Sequence, residues 1–130
     1  METSFRPRRS VLYMPGSNVR ALDKARTIPA DALILDLEDA VAPAEKEAAR
    51  SLAARTVRAR PYGRREVVVR INALETPWGH ADLAAAASAG PDAILVPKVE
   101  SAAALERIAV ELERLGARAT TRIWAMVETP

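Results

Sequence analysis

The sequence predicts an α/β fold, specifically the first half of a (β/α)8 TIM barrel from strand β1 through helix α1 to strand β5. Five short apolar runs alternate with longer Ala-, Glu- and Arg-rich stretches, the pattern of repeated βα units around a parallel sheet. The first βα turn, residues 14–18, matches neither the glycine fingerprint of a dinucleotide fold nor that of a phosphate loop. Polar residues follow every predicted strand, as expected at the carboxyl-end rim of a barrel. A whole barrel needs about 250 residues, so this chain of 130 residues is expected to be part of one.

Each predicted element has a local signal. The strands are nearly continuous runs of apolar residues, which suits strands covered on both faces, and they span 10–14, 32–37, 67–71, 93–96 and 123–127. The helices span 18–27, 44–60, 79–89 and 101–116. Asn18 and Ser101 are suited to cap helix starts, and Pro43 precedes the second helix. Gly90 and Gly116 follow the last two helices and predict their ends.

Composition excludes several function classes. The chain has 49% hydrophobic and 28% charged residues, the proportions of an ordinary globular protein. The net charge is only +2 and aromatic residues make up 4%, so nucleic-acid binding is disfavoured. The clustered Arg6, Arg8 and Arg9 are expected to be solvated. The absence of Cys excludes disulfides and thiolate chemistry, and the single histidine, His80, argues against a zinc site. With neither a signal sequence nor a membrane span, the sequence predicts a cytoplasmic protein.

The second strand ends in three carboxylates within four residues, Asp36, Glu38 and Asp39. Alternation along a strand puts Asp36 and Glu38 on one face. Crowded like charges need a cation, a metal ion or protonation, which favours a functional role for Glu38 and Asp39. The alternative is structural: Asp39 caps the next loop and Asp36 pairs with an arginine.

Arg70 lies inside an otherwise apolar strand. Burying a guanidinium costs several kcal/mol unless it is paired, so Arg70 must meet a carboxylate. That carboxylate is either Glu38 or Asp39, or it belongs to a substrate that Arg70 binds at two points. Lys98 follows the fourth strand and is either a Schiff-base nucleophile or, the preferred interpretation, a cation that balances the second-strand carboxylates.

Two further strand ends offer ligand-binding groups. Glu128 leaves the fifth strand at the rim, where a carboxylate suits Mg²⁺ together with substrate oxygens. Residues 15–17 form a glycine turn before a helix that carries Arg20 and Lys24. Such a turn fits either an anion site or an ordinary βα connection.

Several segments together resemble the citrate lyase β-subunit-like and malyl-CoA lyase family of the HpcH/HpaI aldolase superfamily. They are Ser10–Ser17, Leu35–Pro43 with Lys46 and Arg50, Val69–Asn72, Val96–Glu100 and Val127–Pro130. The resemblance implies a TIM barrel that uses Mg²⁺ to cleave or form a carbon–carbon bond in a 3-hydroxyacyl thioester. Malyl-, citramalyl- and citryl-thioesters of CoA or a carrier protein are the expected substrates, cleaved in a retro-aldol reaction through an enolate.

The resemblance also implies roles for individual residues. Glu128 matches a metal-binding glutamate that also contacts substrate, and Arg70 matches the arginine that holds the small acid. Glu38 and Asp39 match acids that position metal-bound water and substrate. The remaining two positions, near the CoA moiety, are Tyr13 and Lys24.

On this basis residues 1–130 are one domain, the amino-terminal half of a truncated TIM-barrel lyase. A second metal carboxylate is expected beyond residue 130. Two alternatives stay open: a non-catalytic half-barrel that serves assembly or binding, and a class I aldolase that uses Lys98. The open half is expected to expose Leu12, Ile34 and Val69, which are predicted to point inward, and therefore to form a homo-oligomer.

Overall fold

The computed structural model describes residues 8–128 and 130, and it contains one five-stranded parallel sheet. The strands are β1 Val11–Pro15, β2 Ala32–Asp36, β3 Glu66–Arg70, β4 Ala93–Val96 and β5 Arg122–Ala125. All five predicted strands are confirmed, with ends displaced by at most two residues.

The four predicted helices are confirmed as well. They are α1 Val19–Lys24, α2 Lys46–Ala59, α3 Gly79–Ala89 and α4 Ala102–Arg114, with short 3-10 turns at Ala25–Thr27 and Pro43–Glu45. Asn18 and Ser101 cap α1 and α4, because each side chain accepts a hydrogen bond from a backbone N–H three residues later. Gly90 ends α3 at φ 76°, a left-handed conformation that glycine adopts without strain. No helix within residues 8–128 is long and apolar enough to cross a membrane.

Strand order distinguishes a barrel-type sheet from a doubly wound one. The order is β1-β2-β3-β4-β5, without the reversal that defines a doubly wound fold. The sheet is also curled, because Tyr13 Oη from one edge strand lies 4.0 Å from Met126 Sδ, just past the other edge strand. Sequential order and curvature are the features of the first half of a (β/α)8 barrel.

Apolar side chains pack on both faces of the sheet. The convex face meets the helices in the larger core, whereas Ile34, Val68 and Leu95 form a smaller cluster on the concave face. The inward orientation expected of Ile34 is confirmed, but the expectation for Leu12 and Val69 is wrong, because both pack on the helix side. The predicted exposure is wrong for Ile34 and Val69, which are each only 2% exposed. Strands that are apolar on both faces carry no sequence signal of which residues point inward.

Arg8 closes the amino-terminal end of the concave face. Its guanidinium donates two hydrogen bonds to the buried carboxylate of Glu66 and lies 5.0 Å above the ring of Trp124. The expectation that this arginine cluster is solvated is therefore wrong for Arg8. Arg9 is exposed, and Arg6 lies outside the described residues.

Candidate active site

The site is built around an ion pair between the last residues of β2 and β3. Asp36 and Arg70 are register partners in the parallel ladder, and both side chains are buried. Arg70 Nε donates to Asp36 Oδ1 at 2.7 Å, and Nη2 donates to Oδ2 at 2.6 Å. The two carboxylate oxygens also accept the backbone N–H groups of Glu38 and Ala40, each at 2.9 Å. The main partner of Arg70 is thus Asp36, which confirms the alternative that Asp36 pairs with an arginine, and the expectation of Glu38 or Asp39 as the main partner is wrong.

Both members of this pair are held in their charged forms. Burial raises the pKa of the Asp36 carboxyl, but the hydrogen bonds from Arg70, Glu38 and Ala40 outweigh burial and bring the pKa below its usual value. The hydrogen bond to Asp36 raises the pKa of Arg70, against the opposing effect of burial. Arg70 is therefore a fixed positive charge at the rim.

The rest of the Arg70 guanidinium faces the concave side of the sheet. A guanidinium has five N–H groups, and Asp36 accepts only two of them. Nη1 lies 3.5 Å from Met126 Sδ and 3.5 Å from Glu38 Oε1, and the Tyr13 ring covers the guanidinium at 4.9 Å. Asp36 does not occupy the edge formed by Nη1 and the outer side of Nη2, where Nη1 makes one long hydrogen bond to sulfur and pairs with Glu38.

Glu38 brings a second carboxylate beside this edge. Its side chain is only 11% exposed, and Oε1 is buried without a hydrogen-bond partner among the described residues. Oε2 lies 3.6 Å from Lys98 Nζ. A buried carboxylate oxygen that accepts no hydrogen bond is energetically costly, and its usual explanation is a missing water, ion or ligand.

Lys98, which follows β4, contacts both Glu38 after β2 and Glu128 after β5. Lys98 adopts a left-handed backbone conformation with φ 52°, which is uncommon for a residue with a side chain. Its backbone N–H donates to Glu128 Oε2 at 3.1 Å, while its ammonium group pairs with Glu38. Arg70, Glu38, Lys98 and Glu128 therefore form a continuous row along the carboxyl-end rim, here called the rim row.

The chain matches the model of a known protein family over nearly its whole length. The family model described as HpcH/HpaI aldolase/citrate lyase matches residues 9–130. The chain belongs to this family. The resemblance predicted from the sequence is thereby confirmed.

Curated and solved members of the HpcH/HpaI family are similar to the chain over nearly all of its length. A (3S)-malyl-CoA thioesterase of Cereibacter sphaeroides (strain KD131) is 53% identical over 123 residues, which cover 95% of this chain and 41% of the relative. The citrate lyase subunit beta of Leuconostoc mesenteroides is 40% identical over 129 residues, covering 43% of its length. The CitE protein of Mycobacterium tuberculosis, solved with magnesium, acetoacetate and coenzyme A, superposes with a TM-score of 0.72 at 34% identity, over 96% of this chain and 42% of that one. The chain therefore spans less than half the length of these HpcH/HpaI relatives.

Of the sequence-predicted site residues, the structure brings Arg70, Glu38 and Glu128 into the rim row and packs Tyr13 against Arg70. Asp39 lies in the turn after β2 with its side chain exposed. Lys24 is exposed at the far end of α1 and outside the rim row.

The glycine turn after β1 has a packing explanation. A Cβ atom added to Gly16 would lie 2.9 Å from the carbonyl oxygen of Asp36 and 2.9 Å from Leu37 Cδ2. The Gly16 N–H donates to that same carbonyl at 2.8 Å. Gly16 therefore lets β1 approach the site strand closely, which supports the βα-connection interpretation of this turn.

The carboxylates of the rim row fit part of a Mg²⁺ site. Asp36 is not available, because Arg70 and two backbone N–H groups occupy its oxygens. Glu38 offers an oxygen without a hydrogen bond, and Glu128 is exposed farther along the row, with Lys98 between the two carboxylates. Mg²⁺ is commonly bound by one or two carboxylates, with water and substrate completing the octahedron. Within the described residues no three acidic or histidine side chains gather at one point, so this half offers a partial set.

Four polar residues behind the rim were not predicted as a group. Lys46, Arg50, Asn72 and Asp82 form a hydrogen-bonded network between α2, α3 and the end of β3. Asp82 is fully buried within a helix that is otherwise rich in alanine, and an isolated acid in such a helix is the signal that could have revealed it.

Proposed function

We propose that a protein carrying this chain is a Mg²⁺-dependent lyase that cleaves the carbon–carbon bond of a 3-hydroxyacyl thioester of the malyl, citramalyl or citryl type. The observation that carries the proposal is the Arg70–Glu38 arrangement, where a guanidinium that Asp36 binds with only two of its N–H groups adjoins a buried carboxylate oxygen that accepts no hydrogen bond. Family membership and the magnesium and coenzyme A in a CitE relative support it.

Arg70 would bind the carboxylate or carbonyl of the small acid through the Nη1 and Nη2 edge. Because Asp36 already fixes the guanidinium, little reorganisation is needed when negative charge develops on the substrate. In the retro-aldol reaction the 3-hydroxyl group loses its proton and becomes a carbonyl. The bonding pair between C2 and C3 passes into the thioester as an enolate, which is then protonated at C2.

Glu38 and Asp39 would position substrate and water beside Arg70. Glu38 Oε1 pairs with Arg70 but accepts no hydrogen bond among the described residues, so it is suited to accept one from the substrate hydroxyl group. Glu128 would hold Mg²⁺, which supplies Lewis-acid polarisation of a substrate oxygen when bound. Tyr13, which covers Arg70, would exclude water from one face of the guanidinium. Lys24 would contribute charge toward the CoA moiety.

The proposed partners are an acyl-CoA or acyl-carrier-protein thioester and further copies of the chain. The proposed location is the cytoplasm, and no nucleic acid or membrane is proposed as a partner.

Two alternatives remain as test outcomes: a non-catalytic half-barrel, and a Schiff-base aldolase that uses Lys98. The Lys98 side chain is 60% exposed, and its ammonium group lies 3.6 Å from a carboxylate oxygen of Glu38. This environment lacks the desolvated pocket that activates amine nucleophiles, and the carboxylate favours the charged ammonium form.

Thioester hydrolysis is a second candidate function, because relatives 48–53% identical to this chain are named (3S)-malyl-CoA thioesterase. Incubating the full-length protein with malyl-CoA separates the two reactions. Carbon–carbon cleavage yields glyoxylate and acetyl-CoA without a free thiol, whereas hydrolysis yields malate and a free CoA thiol. Glyoxylate formation without thiol release supports the lyase. Thiol release without glyoxylate overturns the lyase in favour of the thioesterase, and a borohydride-trapped adduct at Lys98 overturns the metal mechanism.

A further inference from the structure

We infer that Lys46 is a positioning residue, whose buried ammonium group fixes the turn that carries Glu38 and so sets the place of the Glu38 carboxylate. Lys46 lies behind the rim row and does not touch the concave face where substrate would bind. Its effect would pass entirely through the backbone of residues 37 and 38.

The Lys46 ammonium has an acceptor for each of its three N–H groups. Nζ donates to the carbonyl of Leu37 at 3.0 Å, to the carbonyl of Glu38 at 2.8 Å and to Asn72 Oδ1 at 2.8 Å. Asn72 adds a second donor to the Leu37 carbonyl through Nδ2, also at 2.8 Å. Side chains that lie behind the rim row therefore fix the two consecutive carbonyls of Leu37 and Glu38 in the turn after β2.

The turn is held from its other side by Asp36. The Asp36 carboxylate accepts the N–H groups of Glu38 and Ala40 while it binds Arg70. Glu38 is thus the residue whose N–H is bound by the Asp36 anion and whose carbonyl is bound by the Lys46 cation. These two contacts fix the direction of the Glu38 Cα–Cβ bond, from which the side chain reaches Arg70 and Lys98.

A lysine at this position is costly as a purely structural choice. Lys46 is only 6% exposed, and all three acceptors of its ammonium are neutral groups, so charge pairing at these contacts does not offset desolvation. It is also the first residue of α2, and a cation is disfavoured at the amino-terminal end of a helix dipole. The ring of Trp78 at 5.2 Å offsets part of this cost. A methionine could occupy the volume without these costs, whereas it could not fix two carbonyls.

Asn72 is itself held in register by Asp82, which accepts both the Asn72 backbone N–H at 3.0 Å and the side-chain Nδ2 at 2.6 Å. Arg50 Nε in turn donates to the other Asp82 oxygen at 2.8 Å. The Lys46 acceptor is therefore anchored to α3, which makes the turn rigid.

The test compares Lys46→Met with Arg65→Met as a matched control in the full-length protein. Arg65 also donates to backbone carbonyls, those of Tyr62, Ala25, Ile28 and Arg26, but at the opposite end of the sheet. Amide hydrogen exchange would be followed at Glu38 and Ala40, with the remote amides of Asp92 and Arg122 as an internal reference. Kinetics of thioester cleavage would be measured on the same preparations.

In Lys46→Met we expect exchange at Glu38 and Ala40 to rise about tenfold more than at the reference amides, and kcat to fall about tenfold with KM nearly unchanged. In Arg65→Met exchange at Glu38 and Ala40 should rise no more than at Asp92 and Arg122, which lie at the same end of the sheet as Arg65, and kcat should stay at the wild-type value.

Uniform exchange changes in Lys46→Met overturn the inference, and so does selective exchange with an unchanged kcat. The kinetic measurement rests on the proposed function, but the exchange measurement does not. If the wild-type protein cleaves no thioester, the proposed function fails and exchange alone decides the role of Lys46.

Discussion

Asp36 and Arg70 share two hydrogen bonds, of 2.7 and 2.6 Å, at adjacent ends of β2 and β3. Replacing Asp36 with asparagine would leave the buried guanidinium without its counter-charge. We expect Asp36→Asn to lower the free energy of unfolding by about 3–5 kcal/mol, measured by urea denaturation. Glu111→Gln, which breaks the exposed Glu111–Arg114 pair on α4, is the matched control and should have little effect. Equal effects of both substitutions would contradict a buried, structurally coupled pair.

The same pair predicts how stability depends on pH. Because the pKa of Asp36 is lowered in the folded state, its contribution is complete above the unfolded carboxyl pKa of about 3.9 and is lost as the pH falls through the lower folded value. The free energy of unfolding should therefore decline from about pH 4 downward. In Asp36→Asn this decline should be shallower. Superimposable pH profiles for the two proteins would show that Asp36 is not stabilised as an anion.

Arg70→Lys tests the geometry of the guanidinium. An ammonium group cannot bind Asp36 at two points and still present donors toward Glu38. We expect a loss of about 100-fold in kcat for thioester cleavage, the usual effect of removing an electrostatic donor. Arg55→Lys, on an exposed position of α2, should retain wild-type kinetics. Full activity in Arg70→Lys would remove this residue from the site.

The edges of the sheet predict association. In the described chain β1 and β5 pair on one side only, and the inward-facing Val11 and Tyr13 are 42% and 44% exposed. Full burial of a large apolar side chain contributes about 1.5–3 kcal/mol, and Val11 and Tyr13 forgo part of this, so the isolated 130-residue chain is expected to self-associate. Light scattering of that chain is the measurement. A folded monomer of 14.1 kDa with a cooperative melt would contradict the expectation.

The elements of the fold could be predicted because each has a local cause in the sequence. Apolar runs mark the strands, and Asn18, Ser101 and Gly90 mark helix ends through their own side chains or backbone freedom. The face of the sheet toward which each strand side chain points could not be predicted in the same way. Val69 and Val68 are equally apolar neighbours in a strand buried on both faces, yet only Val68 points inward.

The site was predicted only in part, because the sequence shows that a buried charge needs a partner but not which residue the fold brings to it. The need of Arg70 for a carboxylate follows from the cost of burying its charge, and this expectation is confirmed. Which carboxylate it meets depends on the β2–β3 register, which aligns Asp36 with Arg70 and which a single sequence does not display. Lys46 was not predicted as buried, because a lysine at a helix start has the same local pattern whether it faces solvent or the core.

The proposed role of Glu128 in metal binding leads to the most direct test. Full-length protein and its Glu128→Ala variant would be assayed for carbonyl product from malyl-, citramalyl- and citryl-thioesters, in EDTA and after Mg²⁺ is restored. The account predicts cleavage of at least one thioester by the wild type, its loss in EDTA, its recovery with Mg²⁺, and no recovery in Glu128→Ala. Cleavage that continues undiminished in EDTA, or a fully active Glu128→Ala variant, would contradict it.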